Sequence, residues 1–303
     1  MYKLLIKILS LRFLNSTKRK EYRNAKLTSH INNINTKRLN AKHKWGVSYS
    51  VFDGHELLEK SILSIRESVD YINVVYQTTS WYGNKCDDDL LPALQRLKDA
   101  GLIDELIEYT YIHKDGRSGH APKYEKQKRS LGLNAAKKAG CTYFMTMDCD
   151  EFYFKDEMEK AKKYILMHNI SHSFVIIYHY VLEPIYRKLN AEYYVPFFSR
   201  INKYSSFIPF HFDHYYICHV DPTRLLNKLI LFKFLIFKIY GKYQPFILGN
   251  IAMHHMSSVR KNIMNKINNS SDEYAQSKMK ASYISALKEI ESLKNGGGLA
   301  ISL

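Results

Sequence analysis

From Trp45 onward the chain alternates short β-branched or apolar runs with segments of helical period, and few arrangements accommodate that order. Trp45–Val51 is a strand ending at Phe52-Asp53-Gly54, and the helix after it puts Leu57, Leu58, Ile62 and Ile65 on one face. Tyr71–Gln77 is a second strand. Asp87–Ala100 is a helix with Leu90, Leu94 and Leu97 in register and Gly101 at its C′ position. Leu106–Tyr111 follows as a strand, Lys123–Lys138 as a helix closed by Gly140, and Thr142–Met147 as a fourth strand; Asp156–His168 and Phe174–Tyr180 continue the pattern. Strands alternating with helices of this length predict an α/β fold: a mostly parallel central sheet with helices on both faces. Ligands of such sheets bind beyond the carboxyl ends of the strands.

Charge sets the domain organisation. The chain of 303 residues carries 45 Lys and Arg against 29 Asp and Glu, a net +16, unevenly placed. Residues 1–44 hold +11, residues 45–221 hold −3, residues 222–271 hold +8, and the remainder is neutral. A mildly acidic body flanked by basic segments argues against nucleic acid as a partner. We divide the chain into a basic apolar leader (1–44), a main domain (45–260) and a helical C-terminal extension (261–303). The first 14 residues are apolar and basic, too short for a bilayer span of ~20 residues and without a cleavage site. They suit either an interfacial helix or a helix docked on the body. The apolar run Leu225–Tyr240, with lysines at 228, 233 and 238, suits either a membrane-lying segment or a core helix. These features point to peripheral contact with an anionic membrane. Four cysteines without a CxxC pair indicate reduced thiols and a cytoplasmic setting.

The chemistry concentrates in Tyr143-Phe-Met-Thr-Met-Asp148-Cys-Asp150-Glu151, an apolar strand running into three acids. In extended chain Asp148 and Asp150 face the same way and Cys149 points away. Two carboxylates so placed repel one another unless a cation lies between them, and hard oxygen donors favour Mn²⁺ or Mg²⁺, completed by a substrate diphosphate. The competing explanation is that the acids begin a loop or cap the next helix. Asp53 and Gln77, at the ends of the first two strands, share this rim; Asp53 suits a nucleotide base or ribose, or equally a helix N-cap.

The run from Lys126 through Lys128, Arg129, Asn134, Ala139 and Gly140 to Asp148, Asp150 and Glu151 resembles family 2-type glycosyltransferases of the GT-A fold, over about residues 45–155. The segment Ala252-Met-His254-His255-Met-Ser-Ser258-Val-Arg260-Lys261 resembles the C-terminal His motif of a bacterial subgroup of these enzymes. The resemblance implies a GT-A-like fold and a metal-dependent, inverting transfer of sugar from a nucleotide-sugar donor to a glycan or lipid-linked acceptor. His255 or His254 would join Asp148 and Asp150 on the metal. Lys126, Asn134, Arg260 and Lys261 would contact the donor, with Ser257 or Ser258 capping a helix that carries Arg260, Lys261 and Lys266. The general base would be Asp221 or Asp213, and Arg224 and Glu151 would hold the acceptor. Composition further associates the chain with bacterial surface-polysaccharide synthesis at the inner face of the cell membrane. The rival expectations are a metal-dependent phosphohydrolase or nucleotidyltransferase, and a non-catalytic membrane-associated scaffold.

Overall fold

The computed structural model describes residues 42–110, 121–181, 183–187, 193–207, 219–220, 222–227 and 246–260, with single positions between 266 and 288. Chain contacts divide it into Met1–Lys42 with Lys163–Asn169, and His43–Lys162 with Ile170–Leu303. Of the first unit only Lys42 and residues 163–169, mostly the last turns of one helix, are described. The sheet and the site belong to the second.

The elements are β1 (Trp45–Val51), α1 (His55–Ile65), β2 (Tyr71–Tyr76), α2 (Leu90–Asp99), β3 (Glu105–Glu108), α3 (Ala121–Lys138), β4 (Tyr143–Asp148), β5 (Glu151–Phe152) and α4 (Lys155–Met167). There follow β6 (His172–Val181), β7 (Glu183–Arg187), β8 (Tyr193–Arg200), β9 (Ser206–Phe207), β10 (His219–Val220), β11 (Leu226–Asn227) and β12 (Phe246–Ser258). The protein is α/β, with a mostly parallel sheet flanked by helices. The sheet runs β3-β2-β1-β4-β8-β6-β12-β5. Its β3-β2-β1-β4 half is wholly parallel, as helical crossovers require, and antiparallel pairs enter at β4-β8.

The strands of the parallel half are apolar along their length because both faces are covered: Val47, Tyr49, Val51, Ile72, Val74, Phe144 and Met147 are all buried. Helix α1 buries Leu58, Ile62 and Ile65, each worth about 1.5–3 kcal/mol when fully removed from water. Helix α3 packs on β1, β2 and β4. Its closest approach is at Gly132, where a Cβ would fall onto the Ser48 side chain and come within 2.8 Å of Asn73 Oδ1. Asn73 Nδ2 donates to the Gly132 carbonyl at 3.0 Å, so the contact fixes the rotation of α3 about its axis.

The expected elements of residues 45–180 are present, with ends shifted by at most three residues. The strands after 181, from the two-residue β9, β10 and β11 to the 13-residue β12, are ones that periodicity did not indicate. One expectation fails outright. Ser257 and Ser258 lie in β12, with Ser258 paired to Val181 of β6, and Arg260 stands just beyond the strand in a bend, so no helix carrying it begins there. Residues 1–41 of the leader, and the run Leu225–Tyr240 beyond Asn227, lie outside the described residues. Among the described residues no helix is long and apolar enough to cross a membrane.

Candidate functional site

The carboxyl ends of β1, β2 and β4 open onto a cleft of about 150 Å³, lined among others by Asp53, Gln77, Trp81, Lys128, Asp148, Cys149, Arg260 and Lys266. Beneath it runs a network of buried charge. β4 stops at Asp148, and Cys149 and Asp150 form a turn rather than extended chain, so the two aspartates do not project together. Asp148 accepts from Arg129 Nη2 at 3.2 Å on one oxygen and from Arg224 Nη2 at 2.7 Å on the other. Asp150, with no exposed surface, accepts from Arg260 Nη2 at 2.5 Å and Lys266 Nζ at 3.2 Å on Oδ2. Burial pushes both carboxyls up, but Arg129 and Arg224 hold Asp148, and Arg260 and Lys266 hold Asp150, below the usual carboxylate range. Cys149 also differs from expectation. The turn brings it to the cleft, where Sγ donates to the Asp53 carbonyl at 3.0 Å.

Asp53 accepts from Arg260 Nη1 at 2.7 Å, so Arg260 bridges Asp53 and Asp150. The N-cap of α1 is Gly54, which has no side-chain cap, and Asp53 therefore faces the site rather than the helix. Gly54 has φ 70°, and a Cβ there would lie 2.5 Å from the Arg260 guanidinium carbon, so glycine serves both the turn and the arginine. Gln77 is 2% exposed; its Nε2 donates to Thr79 O at 2.9 Å, and its Oε1 has no hydrogen-bond partner among the described residues. Trp81 brings a ring to the cleft, stacked on Tyr124 at 6.2 Å and edge-on to Tyr109 at 6.0 Å.

The two histidines part company because neighbours on a strand face opposite ways. His255 turns to Asp150, with Nε2 3.5 Å from Oδ1, and its Nδ1 lies 3.2 Å from Nδ1 of His179 on β6. His254 turns away, its Nδ1 2.8 Å from the Tyr180 hydroxyl and its ring against Phe154, so it is not a partner of Asp150. His179 carried no signal in the sequence; the pairing of β6 with β12 places it opposite His255.

Four further expectations are corrected. Arg224 and Glu151 do not face an acceptor. Arg224 is 6% exposed and clasps Glu151 through both nitrogens at 2.6 and 2.8 Å. A salt bridge buried this deeply holds the β4–β5 turn and is spent there. Asn134 lies on the exposed side of α3 beside Lys137, and Lys126 is not among the residues that line the cleft. Gly132 sets the helical phase, and one and two turns back it selects Lys128, Arg129 and Glu125 instead. Lys266 and Asn269 line the cleft as well, so the segment after 260 contributes to the site. Asp213, Asp221 and Lys261 lie outside the described residues.

Asp150 Oδ1 has no hydrogen-bond partner among the described residues, and it faces an imidazole nitrogen. An oxygen and a nitrogen donor so opposed fit a divalent cation such as Mn²⁺. Asp148 does not fit, since both its oxygens are held by guanidinium groups. A separate group, His55, Asp87 and Asp89, brings three ligand atoms within 4.8 Å and can hold a metal ion. His55 Nε2 is 2.9 Å from Asp89 Oδ1, and Asp87 and Asp89 stand exposed at the start of α2, where the helix dipole already favours acids.

No protein-family model matches the sequence, and no curated relative matches it. Among solved structures, S. aureus TarS 1-349 is similar over 86% of this chain and 76% of that one, at 15% identity and a TM-score of 0.39. The same fragment in complex with UDP matches over 49% of this chain at 12% identity and a TM-score of 0.35, and this chain spans only 38% of that one. GalNAc-T7 with UDP, GalNAc and Mn²⁺ matches over 46% of this chain and 24% of that one, at 15% identity and a TM-score of 0.32. Similarity of this degree leaves the function to the residues of the site.

Proposed function

We propose that the protein is a glycosyltransferase of GT-A type that binds a nucleotide-sugar donor in this cleft and passes the sugar to a glycan or lipid-linked acceptor. One observation carries the reading. A single cleft at the carboxyl ends of parallel strands offers an aromatic face (Trp81), a buried amide oxygen with no hydrogen-bond partner among the described residues (Gln77) and three cations (Lys128, Arg260, Lys266). A base stacks on the first and donates an N–H to the second, and a diphosphate lies against the third.

Asp150 and His255 would hold Mn²⁺ or Mg²⁺, which when bound offsets charge on a leaving diphosphate. The chain's own cations do the same work: Arg260 and Lys266, fixed by Asp53 and Asp150, are charges already in place when the nucleoside diphosphate departs. Asp221 or Asp213 would accept the acceptor's proton, and direct displacement would invert the anomeric centre. The +11 leader and the apolar-basic run after Leu225 suit an acceptor presented at the inner face of a bacterial membrane, and surface-polysaccharide synthesis is the setting we propose.

Incubation with Mn²⁺ and a panel of nucleotide sugars tests this. At least one donor is expected to release its nucleoside diphosphate, and His255→Ala to lower that release to background while leaving the fold intact by circular dichroism. Release of inorganic phosphate instead would favour a phosphohydrolase. Neither release nor nucleotide binding would leave only the scaffold.

A further inference from the structure

Lys128 is a buried cation that the ion-pair network leaves out. It sits on α3 one turn before Gly132, where the helix meets β1, and is 3% exposed although it lines the cleft. Its neighbour Arg129 is committed to Glu125 at 2.6 Å and Asp148 at 3.2 Å. Lys128 is committed to no carboxylate: among the described residues its ammonium has one hydrogen-bond acceptor, the Val51 carbonyl, at 2.7 Å. An ammonium has three N–H donors, and burying it against a neutral carbonyl is costly. Packing does not call for a lysine here, since a methionine would fill the same space. An anion entering the cleft does.

We propose that Lys128 receives the phosphate charge of the ligand, and that binding in this cleft is thereby coupled to proton uptake. The inference rests on the cleft being a nucleoside-diphosphate site and assigns one residue of it. Burial pushes the Lys128 ammonium down to about 7, against the opposing pull of Glu125 and Asp148. Four titratable groups around it keep their state near neutrality. Asp148 is held low and stays ionised, burial raises the Cys149 thiol so that it stays protonated, and Arg260 and Lys266 are raised and stay cationic. Asp53, Glu125 and Arg129 complete the surroundings. The sign follows. At pH 8 Lys128 is mostly neutral in the free protein, a bound phosphate favours its charged form, and the proton comes from solvent.

Calorimetric titration with UDP in buffers of different ionisation enthalpy, with Mn²⁺ present, measures the uptake. Wild type is expected to take up close to one proton at pH 8 and almost none at pH 6. Lys128→Met is expected to bind about tenfold more weakly or worse, to lose the uptake, and to melt at a higher temperature because an unpaired buried charge is gone. A purely structural lysine would give a lower melting temperature instead. Lys128→Arg, which cannot lose its proton, is expected to bind UDP without uptake. Equal UDP affinity and equal uptake in wild type and Lys128→Met would overturn the assignment while the nucleotide site stands. Inorganic pyrophosphate separates the two ideas. If it binds with Lys128-dependent uptake and no nucleoside diphosphate binds, the donor reading falls and the anion receptor remains. Binding of neither overturns both.

Discussion

Replacing Arg224 with methionine is expected to cost the folded state about 3–5 kcal/mol, because it removes one partner from a buried ion pair and strands the other. Glu151, 1% exposed, would lose both guanidinium contacts, and Asp148 would lose one of its two. Burial already pushes Glu151 above its ordinary value, and Arg224 is the charge that restrains it. Without Arg224 it rises further and the folded protein binds a proton that the unfolded chain has released. A raised carboxyl loses stability as pH climbs from the unfolded value through the folded one, so the deficit should be larger at pH 8 than at pH 5. Urea unfolding at both pH values measures it. Adding Glu151→Gln should recover part of the loss, since a neutral amide tolerates the site better. A deficit under 1 kcal/mol, or one equal at both pH values, would contradict the assignment of Arg224 to the turn.

Asp150→Asn should have an effect of similar size, about 3–5 kcal/mol, for the opposite reason. It leaves Arg260 and Lys266 beside one another without the carboxylate that holds them, and among the described residues Asp53 is then the one carboxylate paired with Arg260. The acid behaviour distinguishes this from ordinary packing loss. A depressed carboxyl stabilises the fold above the unfolded value, about pH 4, and that stability is lost as pH falls toward the folded value. Asp150 and Asp148 are both depressed, so wild type should lose stability steeply below about pH 4. The variant should start lower and fall less. An acid limb of unchanged slope in Asp150→Asn would show that the carboxyl is not held by the two cations.

The parallel half of the fold was readable because strands covered on both faces are continuous apolar runs. The helices between them also close at Gly101 and Gly140, each with positive φ. Beyond residue 181 neither signal exists. The strands there mix directions, β12 running parallel to β6 and β10 to β8 while β8 runs antiparallel to β4 and β6, and their identity depends on partners far along the chain. The acidic cluster was legible as a strand running into carboxylates, but the turn at Cys149–Asp150 was not, and with it went the expectation of converging aspartates. The right face of α3 was available in principle, since Gly132 marks the close approach and the helical period then points to Lys128 and Arg129 rather than Lys126 and Asn134.

The basic segment 222–271 shows most clearly what spacing conceals. In sequence its charges look like an appendage to an acidic body. In the fold Arg224, Arg260 and Lys266 return across 73 to 116 residues to neutralise Asp148, Asp150 and Glu151, so much of the local excess is internal complementarity. The cleft is built from the same charges. Arg260 and Lys266 are oriented by buried acids, and Lys128 is held beside them without one.

The chain has two tryptophans, Trp45 buried at the start of β1 and Trp81 at the cleft, and this makes the central claim directly measurable. Titration with UDP and other nucleoside diphosphates in the presence of Mn²⁺ should quench the fluorescence of Trp81 saturably. The nucleotide sugar should compete, and Trp81→Phe should abolish the signal. No saturable change with any nucleoside diphosphate, or a change that survives in Trp81→Phe, would contradict a nucleotide-sugar site in this cleft.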